Sequence, residues 1–294
     1  MLSILIPVYN YNVLPLVLEL KRQADNLGIE YEILAQDDLS KNFINENKQI
    51  NNLTNCSFSI NTENLGRGRN INLLCFKSRY NFILIMEADA LPENEFYLKN
   101  YIESLSNSPS VIFGGVKYPD VFPSKEKLLR WKYGIKRETK SLNQRFKNNY
   151  DFVFTWNLLL KKEILIQFPF PEFIKDYGYE DLIFIENLRL NSVPVAHIQN
   201  LLIHYNNEDS ITFIEKSKIA VQNLYNLVRF HKIDPKSTRL TKVHSFLNNL
   251  GLTGIARVIY RITKKRILAN LTSENPNLYL LDFYKLGFYC DLKK

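Results

Sequence analysis

Through the first 115 residues, apolar runs of four to six residues alternate with longer stretches whose apolar residues recur at helical spacing. Short continuous apolar runs are what strands buried on both faces need, and helix-period segments between them supply crossovers, so this alternation predicts βα units joined into a mostly parallel sheet. Strands are expected at residues 3–7, 31–35, 57–61, 82–87 and 111–115. Helices are expected at 13–27, closed by Gly28 as a C-cap, at 69–77, and at 93–105 with Pro92 at its start. From 119 to 150 the chain turns polar, aromatic and basic, which reads as an insertion or lid beside the sheet. A further strand is expected at 152–160, a helix at 210–230, and a tail that is helical up to Leu271 and aromatic beyond it.

The composition fits this class, since 46% apolar residues in 294 exclude a disordered chain and suit one large domain or two small ones. Charge is placed unevenly. Residues 1–231 carry 26 basic and 26 acidic side chains, whereas 232–294 carry 12 and 4, so the whole net charge of +8 lies in the last fifth. A neutral body of 1–231 followed by a basic, mostly helical extension of 232–294 is therefore expected, with an anionic partner near the C-terminus. Within the body, residues 1–118 form the first half and 119–231 the second. Cys56, Cys75 and Cys290 show no metal or redox spacing and are expected as reduced thiols of a cytoplasmic protein. The N-terminal MLSILIPVYN lacks the features of a signal peptide, and no apolar run has the length of a spanning helix.

The chemistry gathers where strands end. The first strand runs into Pro7-Val8-Tyr9-Asn10, the second into Gln36-Asp37-Asp38 and the fourth into Glu87-Ala88-Asp89. In an open parallel sheet the ligand crevice lies beyond the carboxyl ends of the strands, so acids on several such ends converge on one site. Glu87 and Asp89 suit a hard divalent cation whose other ligands are phosphate oxygens, although Asp89 is equally placed to cap the following helix. Glycine-rich dinucleotide or P-loop signatures are absent after the first strand. A second acidic cluster, Glu180-Asp181 beside aromatic Tyr177 and Tyr179, suits acid or base work on a sugar; it also suits the opening turn of a helix. His204 and His197 are alternative imidazole ligands, and spacing does not choose between them.

Taken in order, these motifs resemble the family-2 glycosyltransferases of GT-A fold: ILIPVYN at 4–10, AQDDLS at 35–40, NLGRGRNINLL at 64–74, MEADALP at 86–92, GYEDLIF at 178–184 and HIQNLLIH at 197–204. The resemblance spans residues 2–225. It implies that Pro7, Tyr9 and Asp38 hold the nucleotide base, and that Arg67 or Arg69 lies near the diphosphate. It further implies that Asp89 binds Mn²⁺ or Mg²⁺ with His204 completing the shell, that Glu87 touches ribose or metal, and that Asn157 faces the donor sugar. Asp181 matches the catalytic base and Glu180 the neighbouring acceptor contact. The family's DxD pattern begins here with Glu87 rather than Asp.

The function expected from the resemblance is inverting transfer of a sugar from a nucleotide donor, UDP-linked, to a hydroxyl of a bacterial glycan or lipid-linked glycan. A catalytically inactive nucleotide-sugar-binding relative is the alternative. A nucleic-acid-binding protein is disfavoured because the basic tail carries no recognition motif. If residues 252–271 form one helix, Leu252, Ile255, Val258, Ile259 and Ile262 share a face, with Arg257, Arg261, Lys264 and Lys265 opposite. That pattern suits either peripheral contact with the inner face of the cell membrane or a surface helix packing its apolar stripe on the body.

Overall fold

A computed structural model describes residues 1–107, 109–121, 123–174, 177–206 and 208–292, leaving the last two lysines of the basic tail outside. The strands are β1 (Leu2–Val8), β2 (Tyr31–Asp37), β3 (Cys56–Ile60), β4 (Phe82–Met86), β5 (Ala90–Pro92), β6 (Val111–Phe113), β7 (Val116–Lys117), β8 (Asn157–Lys161), β9 (Val195–His197) and β10 (Leu202–His204). The α-helices are α1 (Leu14–Leu27), α2 (Ile44–Lys48), α3 (Arg67–Lys77), α4 (Tyr97–Ser104), α5 (Leu128–Tyr133), α6 (Leu142–Arg145), α7 (Lys162–Gln167), α8 (Glu180–Leu190), α9 (Ser210–Arg229), α10 (Arg239–Asn249), α11 (Thr253–Leu271) and α12 (Leu278–Leu292). They divide into two compact units.

The first unit comprises Met1–Pro119, Arg137–Lys175 and Glu180–Tyr205. Its seven-stranded sheet has the order β3-β2-β1-β4-β8-β6-β9, parallel across the first four strands, with β8 antiparallel to both neighbours. All seven residues of β1 are buried, as expected for a central strand covered on both faces. The predicted strands fall within a residue or two of those observed. Helix α1 ends at Gly28 in the left-handed conformation, φ 61°. A second sheet of three short strands, β5-β10-β7, forms where the chain passes the carboxyl end of β4.

Two expectations change in this unit. Pro92 does not open a helix; it ends β5, because residues 90–92 pair with β10 and the Glu93 amide bonds Leu201 O at 3.1 Å, so α4 starts only at Tyr97. The strand expected at 152–160 starts at Asn157, because Phe152 takes a left-handed φ of 58° and Thr155 turns its hydroxyl to Asp181.

Asn157 opens β8. Its side chain is fully buried, with Nδ2 donating to Gly115 O (2.5 Å) and Asn200 O (3.0 Å) and Oδ1 accepting from the hydroxyls of Tyr97 (2.6 Å) and Tyr101 (2.7 Å). Every hydrogen-bonding site of the amide is used within the protein, so Asn157 is a knot tying β8 to the 114–115 turn and α4.

The second unit comprises Asp120–Lys136, Asp176–Tyr179 and Asn206–Lys294. The 119–150 stretch is thus not one insertion: Leu129 of α5 is buried with Phe213 and Ile214 of α9, whereas Arg145 is buried in the first unit beneath Phe113. Helix α9, expected within the 1–231 body, belongs to this second unit, which differs from a boundary at residue 231. The aromatic end of the tail is helix α12, packed on α11 where Gly287 leaves room for the Tyr260 ring, and a Cβ there would overlap it. Tyr260 meets Tyr284 edge-on at 5.6 Å between ring centres.

Replacing Asn157 by Ala strands the Tyr97 hydroxyl and the Asn200 carbonyl in a buried site, at about 1–3 kcal/mol for each group left unpaired, whereas the Tyr101 hydroxyl keeps the residue-157 carbonyl and Gly115 O keeps the Leu202 amide. The variant is expected to lose at least about 2 kcal/mol in urea unfolding. Unchanged stability with weakened donor binding would instead return Asn157 to the site.

Candidate active site

The acids predicted at strand ends lie at the carboxyl edge of β2, β1 and β4, which are neighbours in the sheet. Asp38, buried just beyond β2, places Oδ1 on the amide of Leu65 (2.7 Å) and Oδ2 on that of Gly66 (2.8 Å). Gly66, at φ 78°, opens α3, so Asp38 fixes where that helix begins. Pro7 is buried in β1, whereas Tyr9 beyond it is 58% exposed. Arg69 lies 3.7 Å from Glu63 on the outer side of α3.

Arg67, the first residue of α3, points into the site. Its Nε donates to Glu87 Oε2 at 3.1 Å, and its Nη1 donates both to Asp181 Oδ1 at 2.8 Å and to Thr155 Oγ1 at 2.9 Å. Thr155 in turn donates its hydroxyl to Asp181 Oδ1 at 2.5 Å. One guanidinium thus joins residues from 20 positions to 114 positions away in the chain. Burial works against its charge, but Glu87, Asp181 and Glu180 more than offset this and hold it protonated. Its Nη2 is buried without a hydrogen-bond partner among the described residues.

Glu87 is raised above the usual carboxylate range by burial, with Arg67 opposing and Asp89 adding to the shift. Asp89 follows at the start of β5, where β10 pairs His204 with Ala90 and the Tyr205 amide donates to Asp89 O at 2.8 Å. This brings His204 Nε2 within 3.0 Å of Asp89 Oδ1. The other ring nitrogen, Nδ1, is 3.0 Å from the Tyr118 hydroxyl, which gives its single hydrogen to Glu138. Nδ1 must therefore be the donor in that pair, and Nε2 turns its lone pair towards the Asp89 carboxylate. Asp89 and His204 in this arrangement fit a divalent cation. Among the described residues no three His, Cys, Asp or Glu side chains converge closely enough to hold one by themselves, so further ligands would have to come from a substrate.

His197 is the structural histidine of the two. Its Nε2 bonds Asn149 O at 2.9 Å and its Nδ1 faces buried Arg145 at 3.3 Å, while burial lowers its pKa. Glu180 and Asp181 open α8, anchored by Phe184 stacked on Phe170 at 4.7 Å. The Glu180 carboxyl is pushed up to about 7, first by burial and then by Asp181, and its Oε2 is buried with no hydrogen-bond partner among the described residues. Sequence reading missed Thr155, Tyr118, Glu138 and Trp156, whose ring lies 4.7 Å from that of His204. Only proximity in the fold reveals them, since each reaches the site from a segment distant in sequence from Asp89 and Asp181.

The model for Glycosyl transferase family 2 matches residues 3–168, more than half of the chain. The chain belongs to that family. Its fold is that of the GT-A glycosyltransferases. It is similar to S. aureus TarS 1-349, at 16% identity and TM-score 0.51, over 100% of this chain and 92% of that one. The same protein in complex with UDP-GlcNAc gives 15% identity and TM-score 0.51, with 97% and 90% covered. The mannosyltransferase PcManGT from Pyrobaculum calidifontis, in complex with GDP-Man and Mn²⁺, gives 13% identity and TM-score 0.55, with 100% and 88% covered. No curated protein matches the chain significantly. The protein is a nucleotide-sugar glycosyltransferase by family.

Glu180 makes stability depend on pH. With its pKa raised from the ordinary 4.5 to about 7, the folded protein keeps a proton that the unfolded chain has lost between those values. Folding is favoured by this group at low pH, and the contribution is lost as pH rises through 7. Glu180→Gln removes the titration, so its Tm is expected to rise by about 2–6 °C relative to the native protein between pH 5 and pH 8. An offset identical at both pH values would show a solvated carboxylate.

Proposed function

We propose that this family 2 glycosyltransferase moves a sugar from a nucleoside-diphosphate donor, UDP-linked, to a hydroxyl of a bacterial glycan or lipid-linked glycan with inversion at the anomeric carbon. The observation that carries this reading is the joining of Glu87, Asp89 and Asp181 through Arg67 and the His204 strand pairing at one carboxyl edge of the sheet. The complexes of similar proteins with UDP-GlcNAc and GDP-Man support the donor class.

In this reading Pro7, Tyr9 and the turn held by Asp38 border the base, and Arg67 meets the diphosphate. A phosphate oxygen would compete with Asp181 for Nη1 and satisfy Nη2, so donor binding loosens the grip on Asp181 as the substrate arrives. Asp181, released towards the acceptor, takes the proton from the attacking hydroxyl, a contribution of about 10²–10⁴-fold. Glu180 orients the acceptor through a hydrogen bond to Oε2. Asp89 and His204, with Glu87 beside them, would hold Mn²⁺ or Mg²⁺, which when bound supplies positive charge to the departing diphosphate. Attack from the face opposite the leaving group needs no covalent nucleophile.

A panel of nucleotide sugars screened for thermal stabilisation, with and without Mn²⁺, tests the reading, because a true donor stabilises by mass action. UDP-sugars are expected to raise Tm only when cation is present. No stabilisation by any member of the panel would count against it. Asp181→Asn is expected to keep donor affinity in calorimetry while turnover falls at least ~10²-fold. Near-normal turnover would exclude Asp181 as the base and leave Glu180. Asp89→Ala is expected to abolish cation-dependent stabilisation and activity in a folded protein, whereas full activity in EDTA would remove the metal from the reaction.

A further inference from the structure

An ordinary surface helix has one apolar face, turned inward, and a polar face towards water. Helix α11 has two apolar faces. Ala256, Tyr260, Ile267 and Leu271 are buried in the second unit. The stripe singled out in the sequence is a different one, and it does not pack on the protein: Ile255 is 57% exposed, Ile262 75%, and Val258 and Ile259 are exposed with them. The pattern continues backwards into α10. Thr241 and His244 are buried there, while Val243 and Phe246 look outwards, Phe246 at 63% exposure. Between the helices, the Leu252 amide bonds Leu247 O at 2.9 Å and that of Gly251 bonds Asn248 O at 3.1 Å, with Gly251 left-handed at φ 71°. This Schellman turn leaves Leu250 and Leu252 exposed at the corner, so the two outward apolar faces are continuous along the chain.

The two helices themselves carry charge of one sign. Residues 235–273 contain eight Lys and Arg and no Asp or Glu. Arg261 is held by Asp291 at 2.6 Å. Arg239, Lys242, Lys265 and Arg266 are exposed, and none forms an ion pair among the described residues. On α10, Arg239 and Lys242 share the outward face with Val243 and Phe246; on α11, Lys265 and Arg266 flank the stripe of Ile255, Ile259 and Ile262 at helical spacing. A protein partner would ordinarily present charges of both signs, and a nucleic acid has no use for a row of exposed isoleucines. An anionic bilayer answers both features, taking branched side chains below its headgroups and cations at them. No helix among the described residues is long and apolar enough to cross a membrane, so the contact is in the plane of the surface.

We propose that the outward face of α10 and α11 docks the protein on a bilayer containing anionic lipid. The proposal is independent of the catalytic reading, and its readout is binding alone. The full chain is floated with vesicles of phosphatidylcholine, or of phosphatidylcholine with about 30 mol % phosphatidylglycerol, at low and high salt. Binding is expected only with the anionic vesicles, with release as salt rises. The triple change Ile255→Ser, Ile259→Ser and Ile262→Ser alters exposed side chains only and is expected to keep the Tm while lowering binding at least ~10-fold. Changing Arg239, Lys242, Lys265 and Arg266 to Gln is expected to lower it by at least ~10²-fold. Absence of vesicle binding, or equal binding to neutral vesicles, overturns the proposal. Self-association in sedimentation that the Ser variant abolishes, without vesicle binding, assigns the face to a second copy and overturns it too, as does oligonucleotide binding that the Ser variant leaves intact.

Discussion

A half-buried guanidinium holds this site together. Arg67 enters from the first turn of α3 and reaches Glu87 after β4, Thr155 before β8 and Asp181 at the start of α8, so three segments distant in sequence depend on one planar group. The fork geometry matters. A lysine could meet one carboxylate as a point charge, but it could not present Nε to Glu87 and Nη1 to Asp181 in fixed directions. Without the cation, Glu87, Asp89, Glu180 and Asp181 would be four acids in a partly buried space. Burial already raises Glu87 and Glu180, and each further uncompensated charge would raise them more.

The position of Arg67 is itself prepared by a carboxylate that does no direct work on the cluster. Asp38 accepts the amides of Leu65 and Gly66, and Asn61 Nδ2 adds a third donor at 2.9 Å. The turn before α3 is thus clamped to the end of β2, and Gly66 supplies the positive φ that starts the helix at Arg67. Gly68, one position into the helix, lies where a Cβ would come within 3.1 Å of Phe170 and 3.7 Å of Glu180. Gly68 therefore lets α3 approach Phe170 and Glu180 closely enough for Arg67 to reach across.

The sheet was legible in the sequence because strands buried on both faces leave continuous apolar runs, as β1 and β4 do. The acids at strand ends were legible because topology places parallel carboxyl ends together. Partnerships were not. Nothing in the spacing distinguishes His204, aligned with Asp89 by a three-residue strand, from His197, held by Arg145 and Asn149 O. The resemblance set Asn157 against the donor sugar and said nothing of the two tyrosines from α4 that fill its carbonyl oxygen, whose distance of 56 to 60 residues hides them from local pattern. The helical wheel of residues 252–271 identified the apolar stripe and the basic residues, but not which face the fold would bury. That was decided by Tyr260 and Gly287, a large and a small residue that fit each other across α11 and α12.

Two atoms in the cluster remain without partners among the described residues, Arg67 Nη2 and Glu180 Oε2. One is a donor and the other an acceptor. A buried polar atom left unpaired costs about 1–3 kcal/mol, and a fold under no other demand would remove it by pairing or by an apolar replacement. Here the two atoms, one donor and one acceptor, lie beside carboxylates already pushed up by burial. A ligand that closes them must carry a strong acceptor and a hydroxyl donor within one molecule or one complex. A phosphate oxygen against Nη2 and a sugar hydroxyl against Oε2 meet that requirement, and in the proposed reaction the first belongs to the donor and the second to the acceptor. In the proposed reaction both atoms are paired together only when donor and acceptor are bound, which would tie the loosening of Asp181 to the moment at which its oxygen has a proton to take.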